Sequence, residues 1–286
     1  MQRSRVSFNS EYNRYKSDFT PLQGLWNLRT KNIMNKTNKL PFFCCIAIAF
    51  LLISCDPTEK NDLLPVVVTD IDGNNYTTVT IGTQIWMVEN LRTTHYRNGD
   101  AIANITNNAT WKGLSTGAMC DYNNDATNGT KYGHLYNFYA VADSRNIAPV
   151  GWHVPTDAEW TTLTNYVSNH LGTNLSVAKA LAANTDWTAY SVPEAIGCNL
   201  TLNNSTGFSA LPCGYRNGDG GTFLGVNTNG SWWSSTQDNS TFNGITVAKY
   251  RSMFTTYSYV NVIYNIDDMY YDYCRRKGLS VRCIKD

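Results

Sequence analysis

Gly151-Trp152-His153-Val154-Pro155-Thr156-Asp157-Ala158-Glu159-Trp160 is where an extended apolar run gives way to a helix. Pro155 closes the run. Thr156 and Glu159 then stand three apart in the Thr-x-x-Glu arrangement, where each side chain can cap the other's backbone N–H at a helix start. Trp160, Leu163, Tyr166, Val167 and Leu171 recur at helical spacing, which predicts an apolar stripe facing a core. Gly172 is placed to end the helix in a left-handed conformation.

Upstream of this stretch, Pro65-Val66-Val67-Val68 and Tyr76 to Ile81 read as strands around Asp70-Ile71-Asp72-Gly73-Asn74-Asn75, and Gln84 to Val88 as a third strand. Trp86, Met87 and Leu91 are candidate core anchors. Residues 92 to 131, rich in Asn, Thr and Gly, are predicted to form a long ordered loop region. His134 to Ala142 reads as a short helix, with Leu135, Phe138, Tyr139 and Ala142 at i, i+3, i+4, i+7. Downstream, Leu175 to Ala183 predicts another short helix. Strands are then predicted at Gly207 to Leu211, Trp232 to Thr236, Gly244 to Met253, Val260 to Tyr264 and Leu279 to Ile284.

The same segments carry a family resemblance. Tyr132-Gly133-His134-Leu135-Tyr136-Asn137-Phe138-Tyr139-Ala140-Val141, the opening stretch, Gly207-Phe208-Ser209-Ala210-Leu211-Pro212, Trp233-Ser234-Ser235-Thr236 and Gly278-Leu279-Ser280-Val281-Arg282-Cys283 together resemble the Fibrobacter succinogenes major paralogous domain, from about Val66 to the C-terminus. Val154 to Trp160 is also similar to the Leu-Pro-Thr-Glu-Ala-Glu-Trp signature of formylglycine-generating enzymes. Both resemblances imply an α+β, C-type lectin-like fold with short antiparallel strands, two or three helices and long loops, assigned here to residues 65–286. Such a fold does not by itself imply an activity.

The 286 residues carry a formal net charge of +1 with 16% charged residues, which leaves no basic field for nucleic acid. Eighteen tyrosines and eight tryptophans among many Asn, Thr, Ser and Gly predict a neutral, aromatic-rich surface of the kind that suits recognition. Residues 1–33 are polar and without a sustained period, and Met34 is the expected start. Lys36 and Lys39 then form a positive n-region, and Phe42 to Ile53 an apolar run shorter than a bilayer span. Residues 34–54 therefore read as a signal peptide. Its end, Leu52-Ile53-Ser54-Cys55, resembles the bacterial lipobox, which implies acylation of Cys55 and a stable membrane anchor. The linker 55–64 is acidic and resembles the surface-export signal of Bacteroidetes lipoproteins, so the expected location is the outer membrane or cell surface.

Candidate chemistry is sparse. The four histidines, 95, 134, 153 and 170, share no metal-ligand spacing, and His153 is expected to play a structural, hydrogen-bonded role. Asp70, Asp72 and Asn74 invite a calcium loop, but Gly73 falls at position four instead of six, so a turn is the better reading and no cofactor is expected. There is no nucleophile elbow, phosphate loop or dinucleotide fingerprint. Cys274 and Cys283 do not fit the paired cysteines of formylglycine-generating enzymes. The nearer family implies a disulfide to the closing-strand cysteine, Cys283, from a position that is Ala148 here. Of the five cysteines after Cys55, a bridge between Cys198 and Cys213 is the pairing expected.

These readings converge on a lipid-anchored, non-catalytic domain that binds a protein or glycan ligand. An oxidoreductase akin to formylglycine-generating enzymes and a structural component of a surface fibre are the alternatives. The ligand face is placed at Trp232, Trp233, Tyr250, Tyr257, Tyr259, Asn261, Tyr264, Tyr270, Tyr271 and Tyr273, because tyrosine supplies rigid contact area and Asn, Ser and Asp adaptable hydrogen bonds. This composition also resembles the variable face of C-type lectin-like proteins diversified by retroelements.

Overall fold

The computed structural model describes residues 67–172, 175–242, 245–264 and 272–286. All belong to the second of the chain's two units, Lys60–Asp286. The expected N-terminal extension, signal peptide, Cys55 and linker lie outside the described residues. The architecture is α+β.

Strands β1 (Val68–Thr69) and β2 (Asn75–Tyr76) pair antiparallel around the Asp-rich turn. Asp70 Oδ1 accepts from the backbone N–H groups of Asp72 and Asn74, and Oδ2 from Asn74 Nδ2 and the buried Tyr76 hydroxyl. The carboxylate thus closes a turn, with Gly73 at φ 81°. β3 (Thr78–Ile81) and β4 (Gln84–Met87) form the next hairpin.

Residues 92–131 hold more structure than an ordered loop. β5 (Ala103–Asn104) runs parallel to β6 (Ala118–Cys120), and two helices are initiated locally. Asn107 caps α1 (Asn108–Lys112) and Asp125 caps α2 (Ala126–Tyr132). The helix predicted across 134–142 is likewise corrected. Leu135–Tyr136 forms β7, paired with β6, and α3 (Phe138–Val141) begins only after Asn137, whose side chain accepts from Ala140 N–H. Strand pairing outweighs the helical spacing of the apolar residues there.

β8 (Trp152–His153) leads into α4 (Asp157–His170), and both halves of the Thr156/Glu159 capping box form. Trp160, Leu163 and Val167 are buried, whereas Tyr166 is 38% exposed and stacks on His170 with centroids 4.0 Å apart. The cap position Leu171 is extended, so the helix stops before Gly172. α5 (Val177–Leu181) follows.

The largest sheet combines β9 (Cys213–Arg216), β10 (Phe223–Val226), β11 (Asn229–Phe242), β12 (Ile245–Phe254) and β13 (Asn261–Tyr264) in the order β10-β9-β11-β12-β13. Residues 207–211, expected as a strand, contribute a single bridge between Ala210 and Ala182. After α6 (Asp272–Arg276), Gly278, Leu279 and Ser280 make isolated bridges, and only β14 (Ile284–Lys285) is a strand. β14 lies between β4 and β8, which brings the closing segment against the β3–β4 hairpin and the start of α4.

Two cores flank β11. Trp232 enters one with Trp86, Trp160 and Phe208. Trp233 enters the other with Phe138 and Tyr250, ring centroids 5.2 and 5.7 Å away. Both indole N–H groups are satisfied, by Asn90 Oδ1 at 2.8 Å and by the Tyr136 carbonyl at 2.7 Å. The expected Cys198–Cys213 bridge is absent. Cys120, Cys198, Cys213, Cys274 and Cys283 form no disulfide with one another, and Cys213 is buried with its sulfur accepting from Ser280 Oγ.

Candidate functional site

The turn that joins β12 to β13 carries Tyr257 and Tyr259, which are 39% and 52% exposed. Their rings are parallel, 8° apart, with centroids at 5.1 Å, and Phe254 meets Tyr257 edge-on at 5.2 Å. The tyrosines stand two residues apart on a tight turn, and Tyr257 N–H closes it on the Phe254 carbonyl at 3.0 Å.

Neighbouring segments hold this turn through its backbone. Thr255 N–H donates to the Thr228 carbonyl, and Thr255 Oγ1 to the Thr188 carbonyl. From the 188–198 loop, Gly197 N–H reaches the Thr255 carbonyl at 2.8 Å and Ile196 N–H the Tyr257 carbonyl at 3.1 Å. Ala178 N–H, in the first turn of α5, donates to the Ser258 carbonyl. Gly197 is what lets the loop approach: a Cβ there would lie 2.4 Å from the Thr188 carbonyl oxygen and 2.6 Å from Thr255 Oγ1. The loop adds exposed Tyr190 and Val192.

Lys179 of α5 anchors the loop from below. It is 1% exposed, and its ammonium donates to the Ala195, Cys198 and Asn199 carbonyls. Burial lowers its pKa, while the nearby Cys198 opposes that shift. A preformed aromatic surface of this kind binds with little ordering penalty, because the rings and the backbone beneath them are already placed.

The expected ligand residues divide. Tyr257 and Tyr259 share the turn, and Asn261 follows at the start of β13, half-buried. Trp232 and Trp233 are corrected from an exposed patch to the two cores, at 1% and 0% exposure, because adjacent strand residues point to opposite faces and both faces of β11 are covered there. Tyr250 is also buried; its hydroxyl accepts from Lys277 Nζ at 3.0 Å, and burial pushes its pKa up. The side chains of Tyr264 and Tyr273, and Tyr270 and Tyr271 entirely, lie outside the described residues. Tyr190, Gly197 and Lys179 escaped the sequence analysis. No periodicity or motif marks them, and only the contact between the 188–198 loop and Thr255 reveals their place.

Three histidines pair with carboxylates. His95 Nδ1 meets Asp72 at 2.5 Å and His134 Nδ1 meets Asp121 at 2.6 Å. His153 bridges Asp286 at 2.6 Å and the capping-box Glu159 at 2.8 Å. Burial would lower the His153 pKa, but the hydrogen bonds to Asp286 and Glu159 raise it overall. Among the described residues, no three His, Cys, Asp or Glu side chains converge as metal ligands. Burial pushes the Cys120 thiol up to about 12 and holds Cys213 and Cys283 above their ordinary value, so these thiols are protonated at neutral pH and poor nucleophiles.

The family described as the Fibrobacter succinogenes major domain matches residues 79–285. No curated protein and no solved structure matches the chain.

Proposed function

The chain belongs to the Fibrobacter succinogenes major domain family, and on that premise we propose that it is a surface lipoprotein, anchored through Cys55, whose C-type lectin-like domain recognises a protein or glycan ligand without catalysis. The observation that carries this reading is the exposed, parallel Tyr257–Tyr259 pair on a turn fixed by backbone hydrogen bonds from three other segments. Aromatic rings held in place suit the flat apolar face of a sugar or an aliphatic side chain equally. The buried, protonated thiols add support for a non-catalytic role.

The test is a binding screen of the full chain against glycan arrays and cell-surface extracts. A ligand captured by the wild type is expected to be lost by the Tyr257→Ala/Tyr259→Ala double variant, with its thermal melt unchanged. Retention of that ligand by the folded double variant moves the site elsewhere. Cys55→Ala should abolish detergent-phase partitioning; unchanged partitioning refutes the anchor.

A further inference from the structure

We propose that a cleft walled by the segment after β4, the last turn of α2, the chain beyond α5 and Ser209 is a second binding site, for a small hydroxylated carboxylate of hexuronic-acid size. The cleft has a volume of about 200 Å³, and four stretches distant in sequence converge on it. Its floor is structurally committed. Asn90 is buried, donates through Nδ2 to the Tyr132 carbonyl at 2.7 Å, and accepts through Oδ1 from Trp232 and Arg282. Gly133, at φ +80°, keeps the floor open, since a Cβ would stand 2.8 Å from Asn90 Cβ.

Charge decides the ligand class. Arg92 and Lys131 line the cleft, and Arg92 forms no ion pair among the described residues; its Nη2 donates only to the neutral Asn75 carbonyl at 2.9 Å. Lys131 pairs with Asp186 at the rim. Beneath the floor, Arg282 is fully buried and meets only neutral oxygens: Asn90 Oδ1, the Phe208 carbonyl and the Ser209 carbonyl. Two of those three acceptors, Asn90 and Ser209, belong to the cleft lining. The opposing Glu89 carboxylate, also in the lining, is occupied by Thr77 N–H and Thr77 Oγ1 at 2.8 and 2.9 Å. Arg92 is thus the lining cation that no carboxylate neutralises among the described residues, with the buried Arg282 charge beneath the floor, and an incoming carboxylate meets an attractive field there. Thr130, Asn184 and Thr185 on the walls offer hydroxyl and amide groups to ligand hydroxyls. The inference stands apart from the aromatic turn, because none of that turn's residues lines the cleft.

Titration of the full chain with sodium glucuronate, glucose and glucosamine, followed by calorimetry or saturation-transfer NMR, tests it. Glucuronate should bind once, with a dissociation constant on the order of 1 mM, and glucose and glucosamine about tenfold or more weakly. Raising sodium chloride should weaken the glucuronate complex. Lys131→Gln, at an exposed rim position, and Arg92→Gln should each weaken it by about tenfold, while Tyr257→Ala/Tyr259→Ala leaves it unchanged. Equal affinity for glucose and glucuronate, no saturable binding by the folded wild type, or full affinity in a folded Lys131→Gln variant would overturn the proposal.

Discussion

At the scale of single residues, strand alternation explains how Trp232 and Trp233 serve two different cores. Each is wholly enclosed and each indole N–H has an acceptor, so truncation removes packing and strands a partner at once. Trp232→Ala and Trp233→Ala should each lower the unfolding free energy by about 3–5 kcal/mol, read from urea denaturation; an unchanged midpoint for either contradicts its burial. Residue identity could not separate these tryptophans from the exposed tyrosines, because both suit strands and both suit binding faces. His153 gives a pH signature. Its folded pKa lies above its ordinary 6.5, so its contribution to stability is complete below pH 6.5 and is lost as pH rises through the folded value. Burial would raise the Glu159 pKa, but bonds from the Thr156 N–H and hydroxyl and from His153 lower it below its ordinary 4.5; its contribution is present above pH 4.5 and lost as pH falls through the folded value. The thermal melt should therefore peak between pH 4.5 and 6.5, and His153→Gln should flatten the decline on the alkaline side. A wild-type melt that climbs steadily to pH 8 would remove His153 from this role.

At the scale of elements, the start of α4 is a local device. Thr156→Ala deletes half of the capping box and should cost about 1 kcal/mol, measurable as a shift in the chemical denaturation midpoint; no shift means that the cap is redundant with the Asp157–Arg251 ion pair at 2.6 Å. Because every atom of the box lies within four residues, it was legible in the sequence, as were the first hairpins and the β12–β13 turn. The β7–α3 boundary was not. Leu135 and Phe138 fit a helical period, but Leu135 pairs with Cys120, and that distant partner leaves no mark between residues 134 and 142. The 188–198 loop was hidden for the same reason, since its function as a brace depends on Gly197 meeting Thr255. Gly197→Ala should force the loop off the turn and speed hydrogen exchange of the Ile196, Gly197-site and Tyr257 amides, while leaving the α4 amides protected; unchanged exchange would show that the loop does not brace the turn.

For the whole molecule, β14 joins β4 to β8, so the β3–β4 hairpin and the last strand share one sheet and the two cores meet across β11. The α+β class followed from the family resemblance and the positions of several elements from hydrophobic spacing, whereas the state of the cysteines followed from neither, since five thiols permit many partners and proximity is a property of the folded chain. Cys120, Cys213, Cys274 and Cys283 are buried and Cys198 is half-buried. Of these five, a thiol reagent should modify Cys198 alone in the native protein, as mass mapping would show, and rapid labelling of Cys283 would contradict its enclosure. The aromatic turn has a consequence of a different order. Each hydrogen bond that fixes it is made by main-chain atoms or by Thr255, and no tyrosine hydroxyl takes part. Substitutions at 257 and 259 should thus reshape this exposed surface while sparing the bonds that hold the turn in place.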